Sequence, residues 1–146
     1  MKKSSLLLLF LFVVTLFAGA QEGIHWRIKH NKQTLLQSQE EDTVKNIIPL
    51  SLTDLNTPGH FTITCSATNI AGHKDAWIRT IAVYTATGKE LYRKDADAII
   101  IADMQLKKML LENKTINVFS WAIPKDPVQA ARVRVRRVHL CTIELI

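Results

Sequence analysis

The chain has 146 residues and 16.5 kDa, with 19 Lys and Arg against 13 Asp and Glu, a size that suits one domain. Hydrophobic residues make up 47% and charged residues 22%, a globular composition that excludes a disordered or fibrous protein. The net charge of +6 is modest, and nucleic acid is a poor candidate partner.

Residues 1–20 read as a secretory signal. Lys2 and Lys3 precede an apolar run from Leu6 to Phe17, and Ala18-Gly19-Ala20 supplies the small residues of a cleavage site before Gln21. Cleavage would remove two lysines, leaving a mature domain over 21–146 with charge +4. The run is too short to span a membrane and no stop-transfer segment follows, so the expected product is exported, periplasmic or extracellular, without membrane insertion. The only cysteines are Cys65 and Cys141, with no C-x-x-C spacing. In an oxidising compartment this favours a single Cys65–Cys141 disulfide, the alternative being two separately buried thiols.

Period-2 stretches dominate the mature chain and favour β-structure. Ile24, Trp26 and Ile28 alternate with His25, Arg27 and Lys29 in a first strand, His30 to Lys32 reads as a turn, and Thr34 to Gln37 returns as a short strand. Glu40 to Asp42 is a solvated acidic loop. Val44 to Leu52 is strand-like, and Pro49, which has no N–H to donate, places it at a sheet edge or a bulge. Asn56 to Gly59 is a turn. Phe61, Ile63, Cys65 and Ala67 then face one way while Thr62, Thr64 and Ser66 face the other, a half-exposed antiparallel strand followed by a loop at Asn69 to Asp75.

Trp77 to Thr85 and Glu90 to Arg93 form a hairpin around Gly88, which takes the left-handed position. Ala102, Leu106, Met109 and Leu110 recur at helical spacing, with Asp103 as the cap, in one short amphipathic helix that bridges the sheets. Lys114 to Ile123 is apolar on both faces and therefore central. Pro124 to Pro127, with Asp126 as cap and Gln129 three residues on, starts a single helical turn. The last strand is expected from Ala131, with a bulge at Arg136-Arg137 that turns Val133, Val135, Val138 and Leu140 inward together.

About eight strands and one helix imply an all-β fold, a two-layer antiparallel β-sandwich of immunoglobulin-like or jelly-roll-like type. Thr62-Ile63-Thr64-Cys65, Trp77 twelve residues after Cys65, and the late Cys141 resemble the immunoglobulin-like sandwich. His139 stands where that family has its corner tyrosine, and only five residues follow Cys141. The resemblance implies a sandwich and no activity.

No metal-ligand motif, nucleophile elbow or glycine-rich phosphate loop is present, and neither a cofactor nor a metal is expected. His139 and Cys141 share a parity and, with Met104 or Met109, sketch a soft copper site, but two ligands carry little specificity. Asp95 and Asp97 would face the same way on a strand, as a glycosidase pair might, yet neighbouring carboxylates usually sit solvated. Asn113-Lys114-Thr115 matches a glycosylation sequon, relevant only to a eukaryotic secretion route. Trp26, Trp77 and Trp121 would stack on sugars if exposed in a row, but each lies on an alternating apolar face that reads as core.

The most unusual feature is Arg132, Arg134 and Arg136 at period 2, joined by Arg137. On a regular strand the three guanidiniums would project about 7 Å apart, a row suited to forked hydrogen bonds with oxyanions. The competing reading is a solvated face balanced by neighbouring carboxylates. The expectation is a non-enzymatic binding or structural module for a protein or an anionic envelope component. The alternatives are a carbohydrate-binding module and a small hydrolase.

Overall fold

A computed structural model describes residues 23–56, 58–67 and 76–146. The segment 1–20 expected to be a signal and the loop expected over 69–75 lie outside the described residues. Two sheets pack face to face, as the alternating strands require. The four-stranded sheet has the order β2-β1-β4-β7 and the five-stranded sheet the order β3-β9-β8-β5-β6. The strands are β1 (Ile24–His30), β2 (Gln33–Ser38), β3 (Ile47–Leu50), β4 (His60–Ala67), β5 (Trp77–Thr85), β6 (Glu90–Asp95), β7 (Ala98–Ala102), β8 (Thr115–Pro124) and β9 (Val138–Leu145). Helix α1 (Asp103–Asn113) carries the chain from β7 in one sheet to β8 in the other, and α2 (Pro127–Ala130) is one turn.

Most local expectations hold. The inward set of β1 is Trp26 and Ile28, paired with Cys65 and Ile63 of β4, and the β5–β6 hairpin turns at Gly88 with φ +90°. Strand β8 lies between β9 and β5, and Asp126 accepts a hydrogen bond from Val128 N–H at the start of α2. Pro49 does sit on an edge strand, but β3 pairs with β9 in parallel, the one non-antiparallel ladder among the described strands. Strand β7 was not anticipated: it supplies Ile99 and Ile101 to the core and leaves Ile100 63% exposed.

Asp103 does not cap α1, whose first turn has no side-chain cap. Its carboxylate is buried instead, accepts a hydrogen bond of 2.8 Å from His30 Nε2, and sits beside Gly59. A Cβ at position 59 would lie 2.6 Å from Asp103 Oδ2 and 2.5 Å from Asn31 Oδ1, so any larger residue there would push these two side chains out of their places. Asp103 N–H donates to the Gly59 carbonyl, which fastens the helix start to the entry of β4.

The expected Cys65–Cys141 disulfide is not formed; both residues are buried free thiols. Cys65 belongs to β4 and Cys141 to β9, on opposite sheets, and they do not approach bonding distance. An immunoglobulin-like cystine joins the second strand to the penultimate one. Cys141 lies on the last strand, and its partner on the preceding strand β8 is Val118. Burial pushes the Cys65 thiol up to about 11 and the Cys141 thiol higher still, so little thiolate exists near neutrality. Natively folded protein at pH 8 should therefore resist alkylation and take up two adducts once denatured, read by intact mass. A native mass lower by two hydrogens would show a bridge.

Candidate functional site

The site expected on a strand at Arg132, Arg134 and Arg136 has a different geometry. Strand β9 begins at Val138, and residues 131–137 form an irregular strap after α2 in which every residue is exposed. Val133 and Val135, expected inside, are 38% and 42% exposed. A strand needs a partner, and the β8–β9 ladder ends at Ser120 and Val138, beyond which β8 is bonded to β5 alone. The alternation of Arg and Val therefore has no ladder to join.

No bulge at Arg136-Arg137 brings Val133 and Val135 inside with Val138 and Leu140; β9 carries a bulge of its own, at Leu140. Phe119 pairs with His139 and Val118 with Cys141, leaving Leu140 as the extra residue. Leu140 and Cys141 both enter the core, while His139 turns to the outer side of the five-stranded sheet against Phe119, with ring centroids 5.4 Å apart. The bulge thus separates His139 from Cys141, and with Met104 83% exposed the soft-metal grouping is not assembled. Asp95 accepts a hydrogen bond from Thr80, and Asp97 pairs with Arg79 at 3.5 Å, so the two carboxylates serve separate contacts. Trp26 is 2% and Trp121 4% exposed, which leaves no row of open indoles.

The outer side of the five-stranded sheet carries a second apolar cluster of Ala82, Tyr84 and Trp121, with Phe119 and Ile123 packed on it. Guanidiniums cover it. Arg137 Cζ lies 5.0 Å from the Trp121 ring centroid and 5.1 Å from that of Tyr84, and Arg93 lies 5.2 Å from Trp121. A cation over a π-face is attracted by the ring quadrupole, and the planar guanidinium covers apolar area while its edge stays wet. Tyr84 hydroxyl donates to Glu90 at 3.1 Å; burial first and this bond second push the phenol pKa up.

One residue earlier, Arg136 pairs with Glu41 on the loop between β2 and β3. The other oxygen of Glu41 accepts the His139 N–H at 2.6 Å. The strap is therefore pinned at its C-terminal end by Arg136 and Arg137. Arg132 and Arg134 make no ion pair or side-chain hydrogen bond among the described residues. Of the expected row, two arginines have no side-chain partner among the described residues and the third is spent on a carboxylate.

Beneath the pin, Thr142 Oγ1 donates to Asn117 Oδ1 at 2.7 Å, leaving its lone pairs to accept from His139 Nε2 at 3.0 Å. That network puts a proton on Nε2 and leaves Nδ1 buried without a hydrogen-bond partner among the described residues. Burial lowers the His139 pKa and the nearby Glu41 only partly opposes this.

A further polar surface, which strand-by-strand reading does not reveal, lies on the outer side of the four-stranded sheet. Its lining includes His25, Arg27 and Lys29 of β1 and Thr62, Thr64 and Ser66 of β4, around a shallow groove of about 440 Å³. The alternation in each strand is visible in the sequence, but the juxtaposition depends on the β1–β4 register.

Arg137→Ala should uncover Trp121 and Tyr84, red-shift the indole emission and lower stability by about 1–2 kcal/mol, the worth of two partly desolvated cation–π contacts; an unchanged spectrum would show that the guanidinium does not shield the ring. The lowered His139 pKa means that the unfolded chain binds the proton first, so stability is complete above the ordinary value of 6.5 and falls as pH drops through the folded value. Urea midpoints between about pH 7 and 5 should decline less steeply in His139→Gln than in the wild type. Parallel slopes would remove His139 from this role.

No known protein family, curated protein or solved structure matches the chain, and the functional reading rests on its own geometry.

Proposed function

We propose that this protein is an exported, non-catalytic binding module that holds an anionic partner on its arginine strap. Export is supported by the order of lysines, apolar run and small residues over 1–20. The observation that carries the binding assignment is the division of labour among the four arginines. Arg136 and Arg137 fix the strap to Glu41 and to the Tyr84–Trp121 surface, while Arg132 and Arg134 project from it without an acidic partner among the described residues.

A free guanidinium offers five donors in a planar fork that matches a carboxylate, phosphate or sulfate, and anchoring its backbone lowers the entropy lost on binding. Lysines would suffice for solubility alone; two unspent arginines beside two anchored ones fit recognition better. The α2 turn, capped by Asp126 and begun by Pro127, stiffens the other end of the strap. The tryptophan-based sugar platform has no support here because Trp26 and Trp121 are buried.

The test is retention of the protein on its native envelope fraction across a salt series from about 50 to 300 mM, where screening shortens from roughly 14 to 6 Å. Wild-type protein should be held at low salt and released progressively. The double variant Arg132→Gln/Arg134→Gln should keep its thermal midpoint and lose retention. Equal retention by wild type and folded double variant at every salt would overturn the assignment.

A further inference from the structure

We infer that the outer face of the four-stranded sheet is a second, separate site, built for an acidic oligosaccharide laid along β1. The register places each basic side chain of β1 directly opposite a hydroxyl of β4: His25 faces Ser66, Arg27 faces Thr64 and Lys29 faces Thr62. Alternate residues of a strand are roughly 7 Å apart, so the basic groups and the hydroxyls form two parallel columns some 13 Å long. On the far side, Gln37 of β2 accepts a hydrogen bond of 3.1 Å from Arg27 Nε, which orients the guanidinium and leaves its terminal nitrogens free.

None of the residues lining this groove is acidic. Lys29, His25 and the three hydroxyls make no side-chain hydrogen bond or ion pair among the described residues. Strand β7, the next neighbour, presents Ala98 and Ile100 beside Thr64 and Thr62 and so adds no charge. Glu40 lies near His25 at one end, which makes Arg27 and Lys29 the cationic centre.

Three features select the ligand class. Hydroxyls and a carboxamide both donate and accept, as the dense hydroxyls of a sugar ring require, while Arg27 and Lys29 supply the counter-charge for acid groups. An acidic peptide would dock by strand addition at a free backbone edge, but β1 is bonded on both sides, to β2 and β4. A single-stranded nucleic acid would need stacking platforms, and the one large aromatic beside the groove, Trp26, is 2% exposed and belongs to the core. Sulfated and carboxylated sugars share the required chemistry.

The experiment is a calorimetric titration of the folded protein with four probes of similar length: a sulfated hexasaccharide, an oligogalacturonate hexamer, a neutral hexasaccharide and a single-stranded oligonucleotide. Binding of either acidic oligosaccharide in preference to the neutral one supports the site, and the arm that binds identifies the acid group. Arg27→Gln/Lys29→Gln should weaken that binding at least about tenfold, the scale of lost charge-assisted hydrogen bonds. Thr64→Val keeps shape and charge, and should weaken it measurably, which a merely electrostatic surface would not show. The same loss should appear when Arg27→Gln/Lys29→Gln is made in the Arg132→Gln/Arg134→Gln background, where the strap no longer contributes, so this site and the strap fail or stand independently. Absence of binding by both acidic probes, equal binding by the folded Arg27/Lys29 variant, or equal affinity for the oligonucleotide would overturn the inference.

Discussion

The stacking of Arg137 on Trp121 and Tyr84 covers the outer apolar face of the five-stranded sheet. Strand β8 is apolar on both faces: Ile116 and Val118 enter the main core, while Phe119, Trp121 and Ile123 point outward. A two-layer sandwich has no third layer to bury that second face, and leaving it wet would forfeit about 25 cal/mol for each Å² of apolar surface. Guanidiniums solve the problem because they cover a ring without themselves requiring full desolvation. The strap must then cross the outside of the sheet before β9 can begin. This accounts for the irregular course of the arginine-rich segment and for the start of β9 at Val138.

The bulge at Leu140 is the second half of that arrangement. A register without it would place His139 and Cys141 on one face, burying the imidazole in the sandwich or exposing the thiol. With it, Leu140 and Cys141 fill the core and His139 packs edge-on to Phe119 under the Arg136–Glu41 pair. At the helical crossover a different device operates. Asp103, His30, Asn31 and Gly59 form a polar corner that joins the β1–β2 turn, the entry of β4 and the first turn of α1. Removing one member of a buried pair of this kind leaves the other uncompensated, which is far more costly than losing a surface ion pair.

Legibility followed the physics of each element. Strands β1 and β4 could be read because one face is buried and the other wet, so Ile28 against Arg27 or Ile63 against Thr64 gives a clean period of two. The hairpin at Gly88 and the central position of β8 were equally open to inference. Strand β7 was not, because Ile100 is apolar although exposed, and the unbroken Ala-Ile-Ile-Ile-Ala run has no period to count. The strap failed in the opposite sense: Arg132 to Arg136 alternates as a strand would, yet alternation encodes a face and not a hydrogen-bonding partner. Composition and compartment point to a Cys65–Cys141 bond, whereas bond formation depends on which strands carry them, a property of topology. The groove over β1 and β4 required a register that neither strand contains by itself.

Arg136 and Arg137 are anchored while Arg132 and Arg134 have no side-chain partner among the described residues, and that difference is directly observable at the guanidiniums. Arginine Nε–Hε correlations, followed by NMR while a native anionic envelope extract is titrated in, separate the four side chains within one sample. The account predicts that Arg132 and Arg134 shift and broaden as the extract is added, while Arg137, already stacked on its rings, and Arg136, already paired with Glu41, stay near their starting positions. Uniform movement of all four signals, or none in any, would contradict it.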